Sequence, residues 1–110
     1  MENSILNSPK EGHLIAQNHW TASGFAKTNL NFLLKQDNID HVVIVGMQAN
    51  TCIDTTARYA VELGYRTTLI KDGITAFNCD EIKATVQVNF PSYGHALLST
   101  EESIKSFTTA

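Results

Sequence analysis

Two prolines and two cysteines among 110 residues, no cluster of basic side chains and no long apolar run set the outer bounds of this sequence. The longest apolar stretch, Val42–Val45, is far too short to cross a bilayer. Residues 1–12 are polar and lack the apolar centre of a secretory leader, so a cytoplasmic protein is expected. Without an oxidising compartment the two cysteines are expected to be free thiols. Eight lysines and arginines stand against eleven aspartates and glutamates, a formal net charge of −3. That balance gives no electrostatic reason for nucleic acid or an anionic membrane as partner. The repeated glycines and lysine of a phosphate-binding loop are missing, as are the three glycines of a dinucleotide fingerprint, and no cofactor is expected. What is present is ordinary for a globular protein: 43% hydrophobic and 17% charged residues. One domain spanning 1–110 with a single core is expected, with 1–12 as a poorly ordered lead-in.

The apolar pattern alternates between two periods. His13–Gln17 is a short apolar run that reads as a strand. Thr28–Gln36 reads as a helix, with Thr28 as cap and Leu30, Leu33 and Leu34 as its apolar stripe. His41–Val45 is a β-branched run ending at Gly46, typical of a strand buried on both faces of a parallel sheet. A helix from about Thr51 to Leu63 follows from the spacing of Ile53, Ala57, Ala60 and Val61, with Gly64 as its stop. Arg66–Lys71 is a further strand, closed by Asp72-Gly73. Asn78 and Glu81 have the spacing of a capping box. The helix they open carries Ile82, Val86 and Phe90, and Pro91 ends it. His95–Leu98 reads as a last strand and Glu101–Phe107 as a final amphipathic helix. This order implies an α/β fold, a parallel sheet with helices on both faces. In such sheets ligands bind beyond the carboxyl ends of the strands, which singles out residues 46–52, residues 72–77 and the stretch after Gln17.

Gly46-Met-Gln-Ala-Asn-Thr-Cys52 joins a strand to a helix and delivers a cysteine to the first helical turn. Unpaired N–H groups and the positive end of the helix dipole favour a thiolate there. The same N–H groups can receive the oxyanion formed when a thiolate attacks a carbonyl. Position alone leaves two readings of Cys52 open: a nucleophile, or a small hydrophobe at a crowded helix start.

The segment from His41 to Asp72 (HVVIVGMQANTCIDTTARYAVELGYRTTLIKD) closely resembles the core of the isochorismatase-like superfamily, which includes nicotinamidases, N-carbamoylsarcosine amidase and isochorismatase. The resemblance extends through Ser23-Gly24-Phe25 and Thr28-Asn29-Leu30 upstream and to Ser99-Thr100-Glu101-Glu102 downstream. It implies a three-layer, Rossmann-like fold on a six-stranded parallel sheet, here lacking its first strands. It also implies cysteine-hydrolase chemistry on a small amide or related C–N substrate through a Cys–Asp–Lys triad. Cys52 matches the nucleophile, a cis peptide maps onto Met47–Gln48, and the oxyanion donors map onto the N–H groups of Gln48 and Cys52. The resemblance, not the spacing, selects Cys52 as nucleophile.

Two positions depart from the family pattern. The family's aspartate is expected in a segment preceding residue 1, and residues 1–39 contain one aspartate, Asp37, which does not match it. That N-terminal half of the family fold also carries the metal-binding cluster of nicotinamidases, so the resemblance carries no metal site over. The family lysine is replaced by His19, which could stabilise a Cys52 thiolate or simply pack beside Trp20. Trp20 and Phe25 could wall a substrate pocket or fill core, and Asn50 and Thr51 could orient the loop or touch substrate. Asp54 is expected to face solvent, Asp72 to be structural, Cys79 to be inert or exposed, and Tyr93 and His95 to pack. The alternative to a hydrolase is a catalytically inactive fragment whose sheet serves assembly. In the family, two strands with no counterpart here separate the strands matching His13–Gln17 and Val42–Val45. Either these two pair directly or a partner fills the gap, and because an unfilled gap would expose two strand edges a homo-oligomer is expected.

Overall fold

The computed structural model describes Ile15 and residues 21–108. The lead-in 1–12, the expected strand His13–Gln17 apart from Ile15, and both His19 and Trp20 lie outside the described residues. Helix and strand alternate along the rest. They are α1 (Leu30–Gln36), β1 (His41–Met47), a π-helical turn (Ala49–Ile53) running into α2 (Asp54–Glu62), and β2 (Arg66–Thr75). Next come α3 (Cys79–Lys83), continued by a π-helical segment (Ala84–Asn89) and a 3-10 turn (Phe90–Ser92), then β3 (Ala96–Leu98) and α4 (Thr100–Thr108). The three strands form one parallel sheet in the order β1-β2-β3, the α/β architecture that the alternation implies.

β2 is the strand buried on both faces. Thr67, Thr68, Leu69 and Ile70 are all buried, and with a side-chain period of two that means cover on either side. β1, expected to have this character, does not have it: Val42 to Ile44 are half-buried and Val45 is 57% exposed. The reason is position in the sheet. β1 lies at an edge of the described sheet, with only Val42 and Ile44 packed against the core clusters. β2 also runs past its expected end at Lys71. Ile44 pairs with Leu69 and Gly46 with Ile74, so two steps along β1 match five along β2. Asp72 and Gly73 are absorbed in that bulge instead of closing the strand.

Two buried clusters hold the layers together. Ala49, Ile53, Ala57, Leu69, Ile74 and Phe90 form the larger, with Ile44, Ile82, Val86 and Leu97 packed around it. Phe25, Ala60 and Tyr65 form the second, with Leu30, Leu34 and Val42 against them. Each fully buried large apolar side chain contributes about 1.5–3 kcal/mol. α2 belongs to both clusters through Ala57 and Ala60, which have no exposed surface; methyl side chains let its axis approach the neighbouring elements closely.

Helix boundaries shift where side chains compete for backbone groups. The first helix starts at Leu30 instead of Thr28, because the Thr28 hydroxyl bonds the Gly24 and Phe25 carbonyls and accepts from Leu30 N–H. The helix expected from Thr51 splits into the π turn and α2. Asn78 caps α3, its side chain accepting from Glu81 N–H at 2.9 Å. Pro91 falls within the 3-10 turn, where its missing N–H costs nothing.

Candidate active site at the carboxyl edge of the sheet

β1 ends in a sharply turned path. Gly46 has φ +125°, a conformation that side-chain-bearing residues rarely adopt. The next peptide but one, Met47–Gln48, is cis. Gln48 is extended, and its carbonyl accepts from both Thr51 N–H and Ile53 N–H at 3.1 Å. One carbonyl therefore gathers the whole turn beneath it. Ala49 and Ile53 anchor the turn in the larger core cluster. Between them Thr51 is exposed and Cys52 half-buried. Asn50 is half-buried, and its Oδ1 atom is fully buried without a hydrogen-bond partner among the described residues.

The β2–α3 loop lies beside this turn at the same edge. Met47 pairs with Thr75 across the ladder. Glu81 Oε1 then accepts from the Gln48 side chain at 3.3 Å and from Phe77 N–H at 3.0 Å. Gln48 is thus tied to the loop that carries Phe77, which is 81% exposed. Among the described residues this edge encloses no cavity.

Met47, Gln48, Asn50, Thr51 and Cys52, all singled out in the sequence, are therefore one continuous turn. Phe25 is not part of it. Offered as a possible pocket wall, it is 5% exposed and stacks on Tyr65 with ring centroids 5.6 Å apart. The Ser23 hydroxyl accepts from both Phe25 and Ala26 N–H, turning the chain so that the ring enters the core.

Asp54 overturns its expected place. Instead of facing solvent it is 5% exposed and accepts three side-chain hydrogen bonds. Tyr93 Oη donates to Oδ1 at 2.6 Å, while Asn89 Nδ2 and Thr85 Oγ1 donate to Oδ2 at 2.8 and 3.2 Å. Burial first, then the hydrogen bond and the charge of Asp54, raise Tyr93 well above the usual tyrosine range. Arg58 lies over the Tyr93 ring, 4.4 Å from its centroid. In the sequence Thr85, Asn89 and Tyr93 recur every four residues, a polar stripe beside the apolar one at Ile82, Val86 and Phe90, but nothing in that spacing names Asp54 as the acceptor they meet.

Two of the remaining candidates, His95 and Asp72, make structural contacts. His95 Nδ1 accepts from Thr67 N–H at 3.0 Å, and the His95 backbone N–H donates to Thr67 O, joining the start of β3 to β2. Asp72 Oδ1 accepts from Thr100 N–H and Oγ1, both at 2.8 Å, at the head of α4. Cys79 is an exposed free thiol at the start of α3.

Comparison with known proteins adds an independent finding. The family model described as the isochorismatase domain matches residues 6–102. The uncharacterized isochorismatase family protein YwoC of Bacillus subtilis is 33% identical over 90 residues, covering 82% of this chain and 46% of that protein. An isochorismatase-like hydrolase from Alkaliphilus metalliredigens superposes with TM-score 0.83 at 26% identity, covering 91% of this chain and 53% of that one. The nicotinamidase SaPncA from Staphylococcus aureus superposes with TM-score 0.67 at 28% identity, covering 73% and 50%. The chain spans about half the length of these relatives.

Proposed function

Because the chain belongs to the isochorismatase family, we propose that it is the nucleophile-bearing part of a cysteine hydrolase acting on a small amide or a related C–N bond. The observation that carries this reading is the turn itself: a half-buried cysteine held at the head of α2, at the carboxyl edge of a parallel sheet. Ligands of open α/β sheets bind at that edge.

Cys52 Sγ attacks the substrate carbonyl carbon, and the negative charge moves to the carbonyl oxygen. The N–H groups of Gln48 and Cys52 are its donors in this reading. Collapse of the adduct breaks the C–N bond, and the amine leaves with a proton. Water then attacks the thioester carbonyl, releasing the carboxylic acid and restoring the thiol. A proton carrier is needed in both halves. His19 is our candidate within this chain, acting with a carboxylate contributed from beyond residues 1–110 or by another chain. Trp20, Asn50 and Thr51 are the candidate substrate contacts.

The full-length gene product, assayed for ammonia release on a panel of small aliphatic and aromatic amides beginning with nicotinamide, tests the proposal. Cys52→Ala should lower turnover by about 10³-fold or more, and intact-mass analysis should find an acyl adduct on Cys52 and none on Cys79. Absence of both turnover and Cys52 adduct across the panel would overturn the reading.

A further inference from the structure

A buried carboxylate needs a reason. Helix-to-helix contacts of this kind hold as well, at lower desolvation cost, when made by aliphatic side chains. Asp54 instead opens α2 with a charge that the fold encloses and then satisfies with three donors. All three come from one stretch, the π-helical segment and the residue just after the 3-10 turn, more than thirty residues further along the chain. What such a cluster supplies beyond cohesion is direction: hydrogen bonds to an ionised acceptor are short and geometrically selective. They fix both the rotation and the axial position of the first turn of α2. That turn is continuous with the one carrying Cys52, because Ile53 directly precedes Asp54 and bonds back to the Gln48 carbonyl. Tyr93 is suited to be the principal donor. Its bond is the shortest of the three, its ring is locked edge-on against Phe90 at 5.2 Å, and its hydroxyl keeps its proton across the working pH range.

We propose that Asp54, held by Tyr93, is a positioning residue that sets the Cys52-bearing turn against the carboxyl edge of the sheet, an inference resting on Cys52 as nucleophile. Asp54 acts through the backbone of residues 48–53 and touches no substrate. Tyr93 acts through Asp54, so removing either should disturb the same turn.

The test uses the full chain and its two free thiols, Cys52 and Cys79, with exposed Cys79 as internal reference. Alkylation of each by iodoacetamide is followed by peptide mass spectrometry across pH in the wild type, Tyr93→Phe, Asp54→Asn and the double variant. Both single variants should slow Cys52 alkylation at neutral pH by about threefold or more and change the form of its pH–rate profile, leaving Cys79 unchanged. The double variant should be no slower than Asp54→Asn, because the two residues form one unit. A cluster that only stabilises the fold would lower the melting temperature while the Cys52 profile stayed in place, and that result overturns the proposal. So does multiplication of the two single effects. If Asp54→Asn fails to fold, Tyr93→Phe, which removes one hydroxyl and keeps the ring, decides alone. The nucleophile reading is judged separately, in the wild type. If Cys52 and Cys79 react alike there, that reading fails and this one with it; if Cys52 stands apart and the variants leave it unmoved, only the positioning role fails.

Discussion

Gly64 stands where α2 must stop, and its φ of +94° does the stopping. Its N–H donates to Val61 O and the following Tyr65 N–H to Ala60 O, satisfying the carbonyls at the end of the helix. A Cβ there would meet nothing within 4 Å, so the preference for glycine is purely conformational. Gly64→Ala should therefore cost about 1 kcal/mol. In urea titration the midpoint should fall with the slope unchanged, and an unshifted midpoint would contradict the argument. Gly64 was legible in the sequence because its role is local. Asp54 was not. Its carboxylate looks like any acidic residue at a helix start, and its partners lie 31 to 39 residues away. Phe25 shows the same limit from the apolar side: composition admits it to core or pocket, and only the stacking on Tyr65 places it in core.

At the scale of elements, the head of α4 is held by caps. Ser99 and Glu102 bond reciprocally, at 2.8 and 3.1 Å, in the manner of a capping box. Asp72, inside the bulge of β2, accepts from Thr100 and pins the same turn. Thr100's hydroxyl, then its N–H, lowers Asp72 below the usual carboxylate range, and the backbone N–H of Ser99, then its hydroxyl, does the same for Glu102. A depressed folded-state value stabilises fully above the unfolded value and loses that contribution as pH falls through the folded one. Protection of the α4 amides should thus hold steady above about pH 5 and decline below about pH 4. Hydrogen-exchange protection factors check this, and protection in α4 that is constant down to about pH 3 would contradict it. The cap at Asn78 was readable from spacing, but the one from Asp72 was not, since it depends on the bulge that carries Asp72 past the expected end of β2.

At the scale of the whole molecule, β1 has no second neighbouring strand among the described residues. Val45 and Met47 are 57% and 60% exposed, on a strand with a single neighbour among the described residues. Unpaired edges with exposed apolar side chains invite a further strand. We expect residues 1–110 to self-associate through this edge. Light scattering at rising concentration should report a dimer or larger species, and Val45→Lys should shift it toward monomer. A clean monomer at high concentration would contradict this expectation.

The sequence by itself determined what depends on short range. The alternation of strand and helix follows from periodicity, the stop at Gly64 from the need for positive φ, and the strand–turn–cysteine–helix segment from neighbours in the chain. Tertiary structure decided what depends on who meets whom. It made β2 and not β1 the strand covered on both faces, because coverage depends on place in the sheet and not on β-branched composition. It sent Phe25 into the core and enclosed Asp54 among Thr85, Asn89 and Tyr93. Burial of a polar group is settled by donors from elsewhere in the chain, and the pattern around that group carries no record of which ones will meet it.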